Sequence, residues 1–417
     1  MKTKALRLYG KEDLRLEEFE IGELGEDEIL AEIVTDSICM SSYKAALQGG
    51  EHKRVPENVV TNPVIIGHEF CGIIREVGAK WQHKFKAGQK FAIQPALNYK
   101  GSLAALGYSY EKAGGCATYV ILPAEVMITD SVLIYNADVF FHGSLAEPMS
   151  CIVGGYNAMY HTRPGSYKHE MGIKEGGNLI IMAGAGPMGM GAIDYAVSAD
   201  RKPSLVVVTD IDDARLARAE KLITPERAKE NGVKLVYVNT NKVGDAKEYL
   251  MNLTNGEGYH DVMIMAPVKP VCELADSVLG YDGCVNFFAG PMDHEFSASI
   301  NFYDLHYNAA HYLGTSGGNT DDMRESLRLM EEGRLNPAVM VTHIGGIDCA
   351  KESTLNLPKI PGGKKLIYTH IDMPLTAIDD FEKLGETDPL FKKLAEITEK
   401  NNGLWSAEAE KYLLENK

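Results

Sequence analysis

Gly184-Ala185-Gly186-Pro187-Met188-Gly189 decides the reading of this chain. The six residues form a Gly-x-Gly-x-x-Gly turn directly behind the apolar run Asn178-Leu179-Ile180-Ile181-Met182-Ala183, and a helix-compatible apolar stretch, Met190 to Val197, follows. A second run of β-formers, Leu205-Val206-Val207-Val208-Thr209, ends on Asp210, at the spacing of about 20 residues that a dinucleotide fingerprint requires. The first glycine permits the tight turn, the second lets the backbone approach a pyrophosphate, and the third lets helix and strand pack closely. The pyrophosphate sits on the helix N-terminus, where free N–H groups and the dipole favour an anion. Gly184, Gly186, Pro187, Met188 and Gly189 are therefore the candidate cofactor-binding residues. Asp210 can accept hydrogen bonds from the ribose hydroxyls and would repel a 2′-phosphate, which favours NAD(H). Arg215 and Arg218, just beyond it, could reach such a phosphate and keep NADP(H) open.

Working outward, strand-like segments at 179–183, 205–209, 235–238, 261–265 and 284–289 alternate with helical stretches such as Asp213 to Leu222 and Val271 to Leu279. This is the rhythm of a doubly wound parallel sheet. The first 150 residues have a different texture: short β-segments at Thr3–Tyr9, Glu28–Val34, Gly72–Val77, Lys90–Gln94 and Ala117–Ile121, separated by Gly and Pro. After residue 318 come an amphipathic helix, Asp321 to Glu332, and a helical tail, with Asp388-Pro389 and Ser406 as N-terminal cap signals. The simplest layout is a β-rich domain over 1–150 and 319–417, interrupted by the dinucleotide domain over 151–318.

The size agrees with two domains: 417 residues exceed one ordinary core. A net charge of −16 argues against nucleic acid or an anionic membrane as partner, so an anionic substrate would need a local basic pocket. The N-terminus lacks the apolar core of a signal peptide, and the longest apolar stretch, near 179–193, is glycine-broken and too short to span a bilayer. Seven scattered cysteines form no paired framework, which fits a reducing cytoplasm.

Three stretches of the β-rich part hold metal-type ligands: Cys39 in Ser37-Ile38-Cys39-Met40-Ser41-Ser42, His68 and Glu69 in Gly67-His68-Glu69-Phe70-Cys71-Gly72, and Glu147 in Ala146-Glu147-Pro148. One Cys, one His and one carboxylate make a three-ligand zinc site with a fourth position open, the arrangement of catalytic zinc. Taken one at a time, a lone cysteine is usually a small buried hydrophobe and a His-Glu pair surface or core filler, and the long gaps between them carry no metal signature of their own.

The segment Gly67-His68-Glu69-Phe70-Cys71-Gly72-Ile73-Ile74-Arg75-Glu76-Val77-Gly78 resembles the Gly-His-Glu signature of the medium-chain zinc-dependent alcohol and polyol dehydrogenases. The order of Cys, Gly-His-Glu, third ligand and glycine turn is similar too, over about residues 3–370. The longer tail, with Ala146-Glu147-Pro148, is most similar to the L-sorbose 1-phosphate reductase subgroup, which reduces a ketose 1-phosphate to a hexitol 6-phosphate. The resemblance implies a GroES-like catalytic domain joined to a Rossmann domain, with the active site in a cleft between them. It implies one catalytic zinc held by Cys39 and His68 with Glu147 or Glu69, and no structural zinc, because Gln94 to Gly115 lacks the cysteines of that lobe. It further implies NAD(H), a small-molecule sugar-phosphate or polyol substrate, a homodimer or homotetramer, and polar contacts from the region of Tyr303, Asp304, His306, Asn308 and His311.

In the family mechanism zinc polarises a carbonyl oxygen, the nicotinamide delivers hydride, and Ser41 passes the proton. Lys44 falls where a solvent-side relay histidine stands in liver-type enzymes and could hold a ribose or a substrate phosphate. His52-Lys53-Arg54 reads either as a solvated cluster or as a gate or phosphate contact at the substrate mouth. Three other readings stay open: a dehydrogenase of an unphosphorylated polyol or secondary alcohol, a zinc-free quinone or enoyl reductase, and a non-catalytic NAD-binding protein on the same fold.

Overall fold

The computed structural model describes residues 1–417. The chain folds into two compact units, Met1–Pro148 with Asn319–Glu331 and Met340–Lys417, and Met149–Gly318 with Glu332–Val339. No helix is long and apolar enough to cross a membrane.

The second unit is built on a six-stranded parallel sheet in the order Lys234–Asn239, Leu205–Asp210, Asn178–Met182, Tyr259–Ile264, Leu279–Phe287, His311–Gly314. Continuous apolar runs form its centre because both faces are covered: Leu179, Ile180, Ile181 and Val206 to Val208 are fully buried. The sequence-derived strands all appear, within a few residues. The sixth, His311–Gly314, escaped the reading because it is a four-residue, partly exposed edge strand. The hairpin Tyr160–Arg163/Ser166–Met171, rich in charged and histidine residues, escaped it too. The glycine turn closes as expected. Helix Pro187–Ser198 starts with Gly186 as its cap and Pro187 in its first turn, and a Cβ on Gly189 would lie 2.0 Å from the Gly184 carbonyl oxygen.

In the first unit the organising element is strand Ile29–Ile38. It pairs antiparallel with Phe70–Val77 on one side and with Lys364–Tyr368 and Tyr119–Leu122 on the other. The sheet continues through Lys90–Ile93 to Val132–Ile134, and at its other end through Val341–Gly346 to Thr376–Ala377. Ile29, Ala31, Ile33, Phe70, Ile74, Phe91 and Val120 fill the core beneath it. The tail adds helices Pro389–Lys400 and Ala407–Asn416, capped by the Asp388 and Ser406 side chains as the sequence indicated, each cap contributing about 1 kcal/mol.

One buried ion cluster ties the second unit together. His161 Nδ1 donates to the Asp282 carbonyl at 2.9 Å and Nε2 to Asp261 Oδ1 at 3.2 Å. Both ring nitrogens face acceptors, so the geometry holds an imidazolium. Burial opposes that charge, but Asp261 and Asp282 override it and the His161 pKa is raised. Its stabilising contribution is therefore complete below the ordinary histidine value of about 6.5 and is lost as pH rises through the raised folded value. Thermal unfolding of His161→Gln against wild type should show a Tm deficit that is largest at acid pH and shrinks on the alkaline side. A deficit that grows with pH would contradict this charge assignment.

Candidate active site

The first unit delivers its metal-type residues by strand pairing. Strand Ile29–Ile38 ends where Cys39 begins helix Met40–Gln48. The Ser37 N–H donates to the Glu69 carbonyl at 2.9 Å, which locks His68-Glu69 beside that strand end. Gly67 makes the approach possible: its φ is +94°, and a Cβ there would lie 2.3 Å from Asp36 Oδ2. On the opposite flank Lys365 is in register with Ile38, so Lys364 arrives next to the same spot.

Ligand atoms of Cys39, His68 and Glu69 consequently lie within 4.8 Å of one another. Ser42 Oγ stands 3.1 Å from His68 Nδ1, which fixes the ring and turns Nε2 towards Cys39. Ser41 Oγ donates to Cys39 Sγ at 3.0 Å and lies 3.2 Å from His68 Nε2. Tyr108 Oη is also 3.2 Å from Nε2, its ring tilted on His68 at 4.8 Å and stacked on His52 at 5.6 Å. Glu147, on helix Phe141–Ala158, stands outside the three-residue cluster but feels the charges of His68, Glu69 and Cys39. Lys44 lies on the Met40–Gln48 helix, one turn past Ser41.

The electrostatics are those of a cation site. Burial first, and then neighbouring negative charge, pushes up Asp36 and Cys39 and takes Glu147 to about 7. Burial pulls His68 down, so its ring is a neutral ligand. Lys364 donates to Glu69 Oε1 in a fully buried ion pair; burial opposes its charge, but Glu69 and Cys39 hold its pKa up. Glu69 Oε2, also buried, has no hydrogen-bond partner. One lysine thus faces several acid-type groups, with a thiol, an imidazole nitrogen and a carboxylate oxygen converging. That soft-to-hard donor set suits zinc, and the unpartnered oxygen is what a metal ligand leaves.

Sequence reasoning named Cys39, Ser41, His68, Glu69 and Glu147 and missed Lys364, Tyr108 and Ser42. Lys364 is 295 residues from Glu69 and opens an apolar strand, where a lysine reads as a surface residue.

In the second unit Gly186 is open: a Cβ there would meet nothing within 4 Å, so the turn leaves room in front of the helix N-terminus. Asp210 accepts from the N–H groups of Ala185 at 3.2 Å, Ile211 at 2.8 Å and Asp212 at 3.1 Å, which takes up three of its roughly four acceptor positions. Arg215 is exposed and pairs with Asp212 at 3.8 Å. Tyr303, Asp304, His306 and Asn308 lie on or just after the short helix Phe302–Tyr307, and His311 is bound to Asp282 at 2.8 Å.

Two family models match this chain: the alcohol dehydrogenase GroES-like domain over residues 25–130 and the zinc-binding dehydrogenase domain over residues 187–332. The chain belongs to the zinc-dependent medium-chain alcohol and polyol dehydrogenases. Within that family it is 52% identical over 413 residues to a mannitol-1-phosphate 5-dehydrogenase of Aliivibrio fischeri, and 48% identical over 412 residues to an L-sorbose 1-phosphate reductase of Klebsiella pneumoniae. Each match covers 99% of this chain and 97% of the relative. The fold resembles that of 2R,3R-butanediol dehydrogenase from Bacillus subtilis, with a TM-score of 0.69 at 21% identity, covering 88% of this chain and 99% of that one. As a family member the protein is an oxidoreductase acting on small molecules with a nicotinamide cofactor.

Removing one partner of the buried pair should expose how tightly charge is balanced here. Lys364→Met should cost about 3–5 kcal/mol of unfolding free energy in the metal-free protein, because it strands a buried carboxylate. Adding Glu69→Gln should restore much of that loss. Denaturant titration reads both, and a single variant as stable as wild type would contradict the ion-pair assignment.

Proposed function

We propose that this dehydrogenase interconverts a ketose 1-phosphate and a hexitol 6-phosphate with NAD(H), L-sorbose 1-phosphate and D-glucitol 6-phosphate being the pair. The observation that carries the phosphate is a group of cations beside the candidate metal ligands. Lys53, Arg54 and Lys44 all act on His52, whose pKa burial and these charges together lower to about 4. Arg54 acts on His68 as well, and its guanidinium donates to the Leu103 carbonyl at 2.9 Å. In a chain of net charge −16 such a cluster is a local anion trap. Two relatives whose names carry a sugar or hexitol phosphate support the same reading.

Cys39, His68 and Glu69 would hold the zinc, with Glu147 as a second carboxylate in the same electrostatic environment. Bound there, zinc supplies Lewis-acid polarisation of a substrate carbonyl or alcohol oxygen, and the nicotinamide supplies or takes the hydride. Ser41 does the proton work. Its Oγ sits against both Cys39 Sγ and His68 Nε2, so it can hand a proton to the nascent alkoxide or take one from the alcohol. Tyr108, buried against the same nitrogen, keeps water out and orients the Ser41 hydroxyl. Arg54 and Lys44 bind the phosphate ester. Gly184, Gly186, Pro187, Met188 and Gly189 cradle the cofactor pyrophosphate, and Asp210 takes a ribose hydroxyl, which favours NAD(H) over NADP(H).

NADH consumption by the zinc-loaded enzyme should be fast with L-sorbose 1-phosphate, slow with L-sorbose, and abolished by a chelator. A hydrogen bond to a charged group contributes about 1.5–3 kcal/mol, so Arg54→Ala should raise KM for the phosphate ester about tenfold or more and leave that for L-sorbose unchanged. Equal turnover of both sugars would instead favour a dehydrogenase of unphosphorylated polyols.

A further inference from the structure

Helix Phe141–Ala158 carries Glu147, and Phe140, the residue before its first turn, has no side chain able to cap it. Its entry, Val139-Phe140-Phe141, offers no side-chain oxygen for the free N–H groups of the first turn. Pro148, directly after Glu147, lacks the N–H that would tie the second turn back to Ser144. The seven residues that end in Glu147 are thus weakly held by their own helix.

The C-terminal helix supplies what is missing. Glu410 Oε2 accepts from the Phe140 N–H at 2.6 Å and Oε1 from the Phe141 N–H at 2.8 Å. The pairs are 270 and 269 residues apart in sequence. Tyr368 Oη donates to Glu410 Oε1 at 2.8 Å, and Trp405 Nε1 donates to Tyr368 Oη at 2.8 Å. Tyr368 ends the strand that Lys364 begins. Cys71, two residues past Glu69, donates its thiol to the Phe140 carbonyl at 2.8 Å. The strand that follows Glu69, the strand that begins with Lys364 and the helix bearing Glu147 therefore meet at one node, with a buried carboxylate from the tail at its centre.

We propose that Glu410 is a positioning residue: through the N-terminus of helix Phe141–Ala158 it sets where Glu147 stands relative to Cys39, His68 and Glu69. The carboxylate satisfies two backbone donors, the nearest preceding acid, Asp138, being paired with Lys90 instead, and its charge complements the helix dipole. The tail is then part of the active-site architecture. This proposal rests on the reading that Glu147 belongs to the metal environment.

The test uses the full-length protein loaded with cobalt(II) in place of zinc, at pH 8.5, above the value of about 7 to which burial lifts the Glu410 carboxyl. The readouts are the visible cobalt spectrum, metal affinity in chelator competition, kcat, and KM for NADH. Glu410→Ala should shift the cobalt bands in the same sense as Glu147→Ala and lower metal affinity or kcat by about 10–100-fold, the usual effect of removing an outer support of a metal site. KM for NADH should stay put. Glu410→Gln, which keeps one acceptor oxygen, should fall between and serves if the alanine variant does not fold. Leu413→Ala empties a buried position on the same helix without touching the carboxylate, and should lower Tm while keeping the wild-type spectrum and kcat. A shifted spectrum in Glu147→Ala together with an unshifted one in both Glu410 variants would overturn the proposal. A wild-type protein without a cobalt spectrum would instead sink the underlying metal reading and this proposal with it, and a Glu147→Ala spectrum identical to wild type would remove Glu147 from the metal environment and overturn this proposal alone.

Discussion

The burial of negative charge at the end of strand Ile29–Ile38 is the constraint on which the rest of the first unit depends. Asp36, Cys39, Glu69 and Glu147 crowd a region of low polarity that holds one buried cation, Lys364. An unpaired buried carboxylate costs several kcal/mol, so Lys364 balances a Glu69 charge that burial would otherwise leave uncompensated. The pair settles one carboxylate oxygen of Glu69 and leaves the other bare. The surrounding groups answer by shifting towards their neutral forms. A divalent cation held by Cys39, His68 and Glu69 would restore the balance, which is why the donor chemistry and the electrostatics point the same way.

Register converts that constraint into geometry. The central strand pairs at once with strand Phe70–Val77, which begins directly after Glu69, and with the strand that Lys364 opens, and a slip of one residue in the latter pairing would turn Lys364 to the other face. Gly67 permits the close passage where Asp36 and the Cys116 backbone leave no room for a Cβ. The nucleotide-type turn of the second unit is governed by the same kind of close approach, between Gly189 and the Gly184 carbonyl. Two unrelated kinds of chemistry thus both begin with a glycine that lets backbone meet backbone.

What could be read in the sequence was local. The turn 184–189, the strands flanking it, and the Asp388 and Ser406 caps each depend on residues within a few positions of one another. Cys39, His68, Glu69 and Glu147 were recognisable as ligand types, but the convergence of Cys39, His68 and Glu69 comes from strand pairing between distant segments, which composition and periodicity do not encode. Lys364 was invisible for that reason. Strand Val341–Gly346 hid because two glycines close it, and strand Lys364–Tyr368 because two lysines open it. Glu410 was no more visible, since an acid in the first turn of a helix is ordinary and its partners lie some 270 residues away.

The central claim is that Cys39, His68 and Glu69 form one metal site. Zinc K-edge absorption on the zinc-loaded protein tests it most directly. The account predicts a first shell with a single sulfur at about 2.3 Å and lighter atoms at about 2.0–2.2 Å, and loss of the sulfur scatterer in Cys39→Ser. A first shell without sulfur, or a sulfur that survives the Cys39→Ser substitution, would contradict it.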